Sequence, residues 1–231
     1  MAIPVAGKLY YELDGQLLEI KRQLRQPAGY PFDPTQLKVA LQNAIEGKFG
    51  EMRKQSLLSA VATTNLGPVA GKSTKDCFPR PRYAYRDADF DNWLHANQPN
   101  ADPCAIATLA LSREWAFAES AAAVLGIGAG TDVLLLGKLL IEQGHTMTLA
   151  QAEEMVEKTE RGEKTEISTD GYGNFFFVET GNPKDPVSVG YVLRDERDWN
   201  ARVDRLGHDI RCYADSRLLV RNLSDASKLG L

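Results

Sequence analysis

The sequence predicts an α+β protein: helical N-terminal and central regions, then a small antiparallel β-meander or barrel. Three observations carry that expectation. Apolar residues recur at steps of three and four near the N-terminus, and helix start and stop signals return from Ser112 to Gly162. From Phe175 onward the hydrophobic period drops towards two, the period of a strand. Between the helical regions, Pro68, Pro79, Pro81, Pro99 and Pro103 interrupt any regular element. The segments expected are an N-terminal helical hairpin (1–63), a Pro-rich irregular connection (64–103), a central helical bundle (104–166) and a small antiparallel β-domain (168–231).

In the first segment, Tyr10, Leu13, Leu17, Ile20 and Leu24 fall on one stripe of a helix over 9–26. Lys21, Arg22 and Arg25 suit the negative pole of its dipole, and Pro27 and Gly29 end it. Gly15 inside it costs about 1 kcal/mol relative to Ala. Asp33 then reads as an N-cap with Pro34 at the first helical position, followed by Leu37, Leu41, Ile45 and Phe49. Residues 51–63 read as a further helical stretch. Two helices joined by a short loop read as an antiparallel hairpin packed on itself. The stripe is as narrow as a coiled-coil seam, so a protein partner or self-association through residues 9–49 is the sharp alternative.

The connection carries Phe78, Tyr83, Tyr85, Phe90 and Trp93, too many aromatics to float free in water. Beyond it, Trp115, Phe117 and an alanine run suggest a helix ending near Gly126. A second helix follows Thr131 or Asp132 and stops at Gly144; a third starts at Thr148, with Gln151 completing a capping box. The first two resemble a helix-turn-helix. The second, however, offers Val133, Leu134, Leu135, Leu136, Leu139, Leu140 and Ile141, and a helix apolar nearly all round is expected to be buried instead of reading DNA. In the tail, Val187, Val189, Tyr191 and Leu193 share one strand face, as do Trp199, Ala201 and Val203. Gly207-His208-Asp209 reads as a turn.

Composition limits the function classes. Lys and Arg total 27 against 31 Asp and Glu, a net charge of −4, so coating nucleic acid by bulk charge is disfavoured. The three cysteines are scattered and odd in number, which argues against a disulfide framework and for a reduced, cytoplasmic chain. The N-terminus carries no basic-then-apolar signal pattern, and the apolar run Val133–Ile141 is broken by Lys138 and too short to span a bilayer.

Several strings invite chemistry. Gly67-Pro-Val-Ala-Gly71-Lys72-Ser73-Thr74 resembles a phosphate loop, but only three residues separate its glycines and prolines follow closely. Asp87, Asp89 and Asp91 are the candidate metal ligands, because alternate carboxylates can share a divalent cation; the Gly and Glu of a calcium loop are missing. His208 and Cys212 lack the close cysteine pairs of structural zinc. Gly126-Ile-Gly128-Ala-Gly130 follows a helix where a dinucleotide site needs a strand. Arg194, Arg202, Arg211, Tyr213 and Arg221 are the candidate nucleic-acid contacts, since small barrels bind strands through cations and stacking rings. The aspartates interleaved with them instead suggest cross-strand ion pairs. No catalytic residue and no cofactor site is expected.

The phrases YYELDGQLLEIKRQLRQPAGYPFDPTQLKVALQNAIEG, LLGKLLIEQGHTMTLAQAEEMVEKTERGEKTE and RLLVRNL resemble recurring segments of uncharacterised bacterial proteins. That resemblance implies a bacterial protein and transfers no site. The function expected from the residues is non-enzymatic interaction or adaptor work. The alternative is nucleic-acid association through the arginine face of the tail, and the third reading is a metal-dependent enzyme centred on Asp87–Asp91.

Overall fold

A computed structural model describes residues 8–25, 37–38, 41–42, 58–111, 114–128, 130–208 and 211–222. The chain divides into two compact units, Met1–Lys54 and Gln55–Leu231. In the first, helix α1 (Lys8–Leu24) occupies the stretch where the apolar stripe predicts it. Glu19 and Arg22 pair along its surface at 2.6 Å. Residues 37–38 and 41–42 are helical. The rest of the expected second helix, and with it the hairpin seam, lies outside the described residues.

The second unit carries a short helix α2 (Asp89–Trp93) and is built on one seven-stranded sheet. Its strands are β1 (Leu58–Leu66), β2 (Tyr83–Arg86), β3 (Cys104–Leu111), β5 (Asn174–Glu179), β6 (Val187–Asp195), β7 (Asp198–Arg205) and β9 (Arg217–Arg221). They lie in the order β1-β3-β9-β5-β6-β7-β2. Neighbours run antiparallel except β9 beside β5 and β2 beside β7, which are parallel. A separate ribbon pairs β4 (Trp115–Ala116) with β8 (Arg211–Cys212).

Both faces of the sheet are covered, and β5 shows why its sequence is a continuous apolar run. Phe175 and Phe177 enter one core with Leu109, Val187, Val189, Leu218 and Val220. Phe176 and Val178 enter the other, with Ile106, Val192, Val203 and Leu219. A strand buried on both sides needs no polar alternation. Helices α3 (Phe117–Val124) and α4 (Val133–Glu142) cover the first face through Phe117, Ala121, Leu136 and Leu140. Helix α5 (Leu149–Glu160) covers the second through Leu149, Ala152, Met155 and Val156.

This arrangement corrects several expectations. The tail strands do not close a small barrel; they complete a sheet with β1, β2 and β3. Leu58–Leu66 is a strand where residues up to 63 were expected to be helical, and Cys104–Leu111 is a strand inside the segment expected to form the helical bundle. Both are rich in Ala and Leu, which suit a helix locally, but each gains a hydrogen-bonded partner as a strand. The central helices sit on opposite faces of the sheet and so form no bundle. Helix α4 is one-sided: Leu136 and Leu140 are buried, whereas Leu135 is 47% exposed. Among the described residues no helix is long and apolar enough to cross a membrane.

The Pro-rich connection is ordered by pairing with itself. Val69 bridges Ala101 and Ser73 bridges Asn97, so residues 69–73 run antiparallel to 97–101. Gly71 is required there, because a Cβ would stand 2.5 Å from the Gln98 carbonyl oxygen. Phe78, Tyr83 and Phe90 pack ring to ring at 5.0 and 5.2 Å, while Tyr85 stays 46% exposed. Phe78 adopts φ 58°, a left-handed backbone that a bulky side chain reaches only under constraint. The constraint is Glu153 of α5: its Oε1 accepts the Phe78 N–H at 2.6 Å, and its other oxygen pairs with the Lys72 ammonium.

Burial pushes the Glu153 carboxyl above its usual 4.5, against the pull of Lys72 and the Phe78 N–H. The native state therefore holds this proton more tightly than the unfolded chain. Its stabilising effect is full below pH 4.5 and is lost as pH rises through the raised native value. Urea unfolding across that range is expected to show a falling stability that Glu153→Gln flattens; an unchanged pH slope in the variant would contradict this. Gly190 faces Phe176 across the β5–β6 ladder, and a Cβ there would lie 2.5 Å from the ring. Gly190→Ala is expected to lower unfolding free energy by about 1–3 kcal/mol, with Phe176→Leu relieving part of the loss in the double variant.

Candidate binding cleft

The parallel pair β9 and β5 ends on the same edge of the sheet, at Arg221 and Glu179. There the chain crosses from α4 on one face to α5 on the other through residues 143–148. The crossing segment is tied to both strands. Met147 N–H donates to the Phe177 carbonyl at 2.7 Å, and His145 Nδ1 lies 3.0 Å from the Arg221 carbonyl oxygen. A carbonyl only accepts, so Nδ1 carries the proton.

Over this edge lies a cleft of about 350 Å³, lined by His95–Asp102 residues of the connection, by Thr146–Thr148, and by Glu179 and Arg221. The lining mixes both charge signs with amides and a short apolar wall of Pro99, Ala101 and Met147. Thr146 Oγ1 donates to Glu179 Oε1 at 2.8 Å, which orients that carboxylate. Arg221 reaches the Cys104 thiol, and Gln151 Nε2 donates to the same sulfur at 3.1 Å. Burial pushes the Cys104 thiol up, with Arg221 opposing the shift, so the sulfur is a held neutral thiol. Arg221 Nε is buried with no acceptor, and among the described residues Arg221 forms no ion pair.

The N-terminus of α5 also borders the cleft, but its N–H groups are partly taken. Thr148 Oγ1 accepts from Gln151 N–H at 3.2 Å and Gln98 Oε1 accepts from Leu149 N–H at 3.3 Å. The reciprocal bond from Thr148 N–H to Gln151 Oε1, 2.9 Å, completes the capping box that the sequence signals. Of the groups lining the cleft, Arg221 is thus the one cation that can meet an anion at full strength among the described side chains other than histidine.

A second cavity of about 330 Å³ shares His95 with the first. Its charges are already spent: Arg205 pairs with Asp185 and stacks 4.7 Å from the centre of the Trp93 ring. The His95 ring lies directly on Gly181, where a Cβ would be 1.8 Å from a ring carbon. Gly181 also has φ +78°, so this position admits no other side chain without displacing His95.

The residues singled out in the sequence are dispersed. Asp91 pairs with Arg86 at 2.7 and 3.1 Å, Asp87 accepts the Asp89 N–H at 3.0 Å, and Asp89 accepts from Asn92 Nδ2 at 3.0 Å. The three carboxylates therefore serve local turns and one ion pair. Among the described residues no three His, Cys, Asp or Glu side chains converge as metal ligands. Arg194 sits opposite Trp199 and Arg202 opposite Tyr191, on opposite faces of the sheet. Arg202 covers the Tyr85 ring at 5.2 Å, Arg211 belongs to the β4–β8 ribbon, and Tyr213 beyond it is 60% exposed. Only Arg221 of that set reaches the cleft. The Gly71-Lys72-Ser73-Thr74 string is extended along Asn97–Asn100 and sends Lys72 to Glu153, not to a phosphate cradle. His208 stands in the turn after β7, its Nδ1 3.0 Å from Asp204 Oδ1. His95, Thr146 and Glu179 come from separate segments and share no spacing that marks them as one site. Neither protein-family models, nor curated proteins, nor solved structures yield a match to this chain.

Proposed function

We propose that the Gln55–Leu231 unit is a binding domain that takes a small polar molecule in the cleft above Arg221 and Glu179, acting by recognition instead of chemistry. One observation carries this reading: a concavity of about 350 Å³ lies at the carboxyl ends of a parallel strand pair, where the chain switches faces. Such edges are where open sheets assemble ligand sites, and the volume falls at the small end of the usual range. This keeps the interaction role expected from the lack of catalytic motifs and from two modules suited to packing, and moves it from the N-terminal helices to the cleft. The free thiols of Cys77, Cys104 and Cys212 fit a reducing, cytoplasmic setting.

The test is a panel of small metabolites followed by amide NMR and thermal unfolding. A ligand at 100 times its Kd adds about 2.7 kcal/mol, which raises Tm by about 5–10 °C for a domain of this size. Its shifts are expected at His95, Thr146, Thr148 and Arg221. Perturbation confined to other surfaces, or none from any compound, would remove the cleft as the site.

A second reading rests on α1, where Leu17 and Leu18 are 47% and 56% exposed. It is self-association through the N-terminal helix. Sedimentation equilibrium at micromolar concentration is expected to show a dimer that Leu17→Glu with Leu18→Glu dissociates; a wild-type chain that stays monomeric throughout refutes it.

A further inference from the structure

We infer that the ligand of this cleft is a small zwitterion, a free α-amino acid or dipeptide, with its carboxylate on Arg221 and its ammonium on Glu179. The inference rests on the cleft being a binding site and names the chemistry it accepts.

The cavity is lined by one guanidinium, Arg221, and two carboxylates, Glu179 and Asp102. Among the described residues these opposite charges do not pair with one another, and no other ion takes them. Side chains of opposite sign at one surface normally collapse together, as Arg205 and Asp185 do in the neighbouring cavity. Here the register keeps them apart. Arg221 leaves β9 on the face of Ile106, whereas Glu179 leaves β5 on the face of Val187, where the Thr146 hydroxyl orients it. Charges held apart across a cleft are satisfied together by a molecule that carries both signs at matching ends.

The charge count narrows the class further. One guanidinium against two carboxylates disfavours phosphates, whose two charges would meet more repulsion than attraction. A diamine would place its second ammonium against Arg221. A carboxylate suits a planar guanidinium, which presents paired donors to two oxygens. A cavity of about 350 Å³ admits an amino acid or dipeptide, and Pro99, Ala101 and Met147 supply an apolar wall for its side chain.

The experiment is titration calorimetry on the full chain with the twenty L-amino acids and a set of dipeptides, with succinate and putrescine as single-sign probes. The tightest binder is then compared with its N-acetyl and carboxamide forms. Blocking either end is expected to weaken binding about tenfold or more, the cost of losing a charged hydrogen bond. In Arg221→Gln the free acid and the carboxamide should bind alike, and in Glu179→Gln the free amine and the N-acetyl form should. Loss of discrimination at one end alone cannot arise from misfolding, which would weaken all forms together. Succinate or putrescine binding as tightly as any amino acid overturns the zwitterion while leaving the cleft a binding site. So does indifference to both blocking groups. Failure of every probe, with no ligand of any class perturbing the cleft, removes both readings.

Discussion

Burial of the central sheet on both faces is the constraint from which the rest of this molecule follows. Strand β5 places Phe175 and Phe177 on one side and Phe176 and Val178 on the other, all buried. Neither pair can be left to water, at about 1.5–3 kcal/mol for each large apolar side chain. One face therefore needs α3 and α4 and the other needs α5. The chain must cross the sheet between α4 and α5, and it crosses where β9 and β5 stop. Met147 N–H on the Phe177 carbonyl marks the crossing as an extension of the ladder. The cleft is a consequence of covering both faces with helices that are consecutive in the chain.

The second constraint is the Glu153 carboxylate, which ties α5 to a connection that has little regular structure of its own. A buried carboxylate costs free energy unless it is paired and hydrogen-bonded, and Glu153 is both. Lys72 and the Phe78 N–H answer it from two sides of the 3₁₀ turn Thr74–Asp76. With that turn anchored, residues 69–73 hold residues 97–101 in register, and the upper wall of the cleft is set. Arg86 adds to the same anchoring by donating to the Cys77 and Thr74 carbonyls at 3.0 and 2.8 Å.

How much of this was legible follows from how local each signal is. Helix ends were readable because a cap is a short-range hydrogen bond. Asp132 accepts the Leu135 N–H at 3.0 Å, Thr148 and Gln151 close their box, and Gly144 leaves α4 at φ +69°. The alternating Trp199, Ala201 and Val203 marked β7 by the same locality. Strands β1 and β3 were not readable. CAIATLAL is a strand because β9, about a hundred residues on, pairs with it, and β-propensity records such neighbours more than the residue itself. The arginines of the tail read as one face, and Arg194 and Arg202, eight residues apart, would share it on one unbroken strand, but the β6–β7 turn lies between them. That turn, with Glu196 at φ 51°, sets a new register and puts them on opposite sides.

The cleft was the least legible feature for a related reason. Its charged groups are ordinary residues at element ends, and what distinguishes them is an interaction they lack. Arg221 is the last residue of β9, so its backbone still holds the ladder with Ile106 while its side chain passes beyond the edge to Cys104. Glu179 is likewise the last residue of β5, turned to Thr146. Strand ends fix their backbones without fixing a charge partner. The pairings of Arg221 with Ile106 and of Glu179 with Val187 send the two side chains to opposite faces of the sheet, so the ladder cannot join them. They share only the rim where both strands stop, which is why a bound molecule with both signs is the proposed partner.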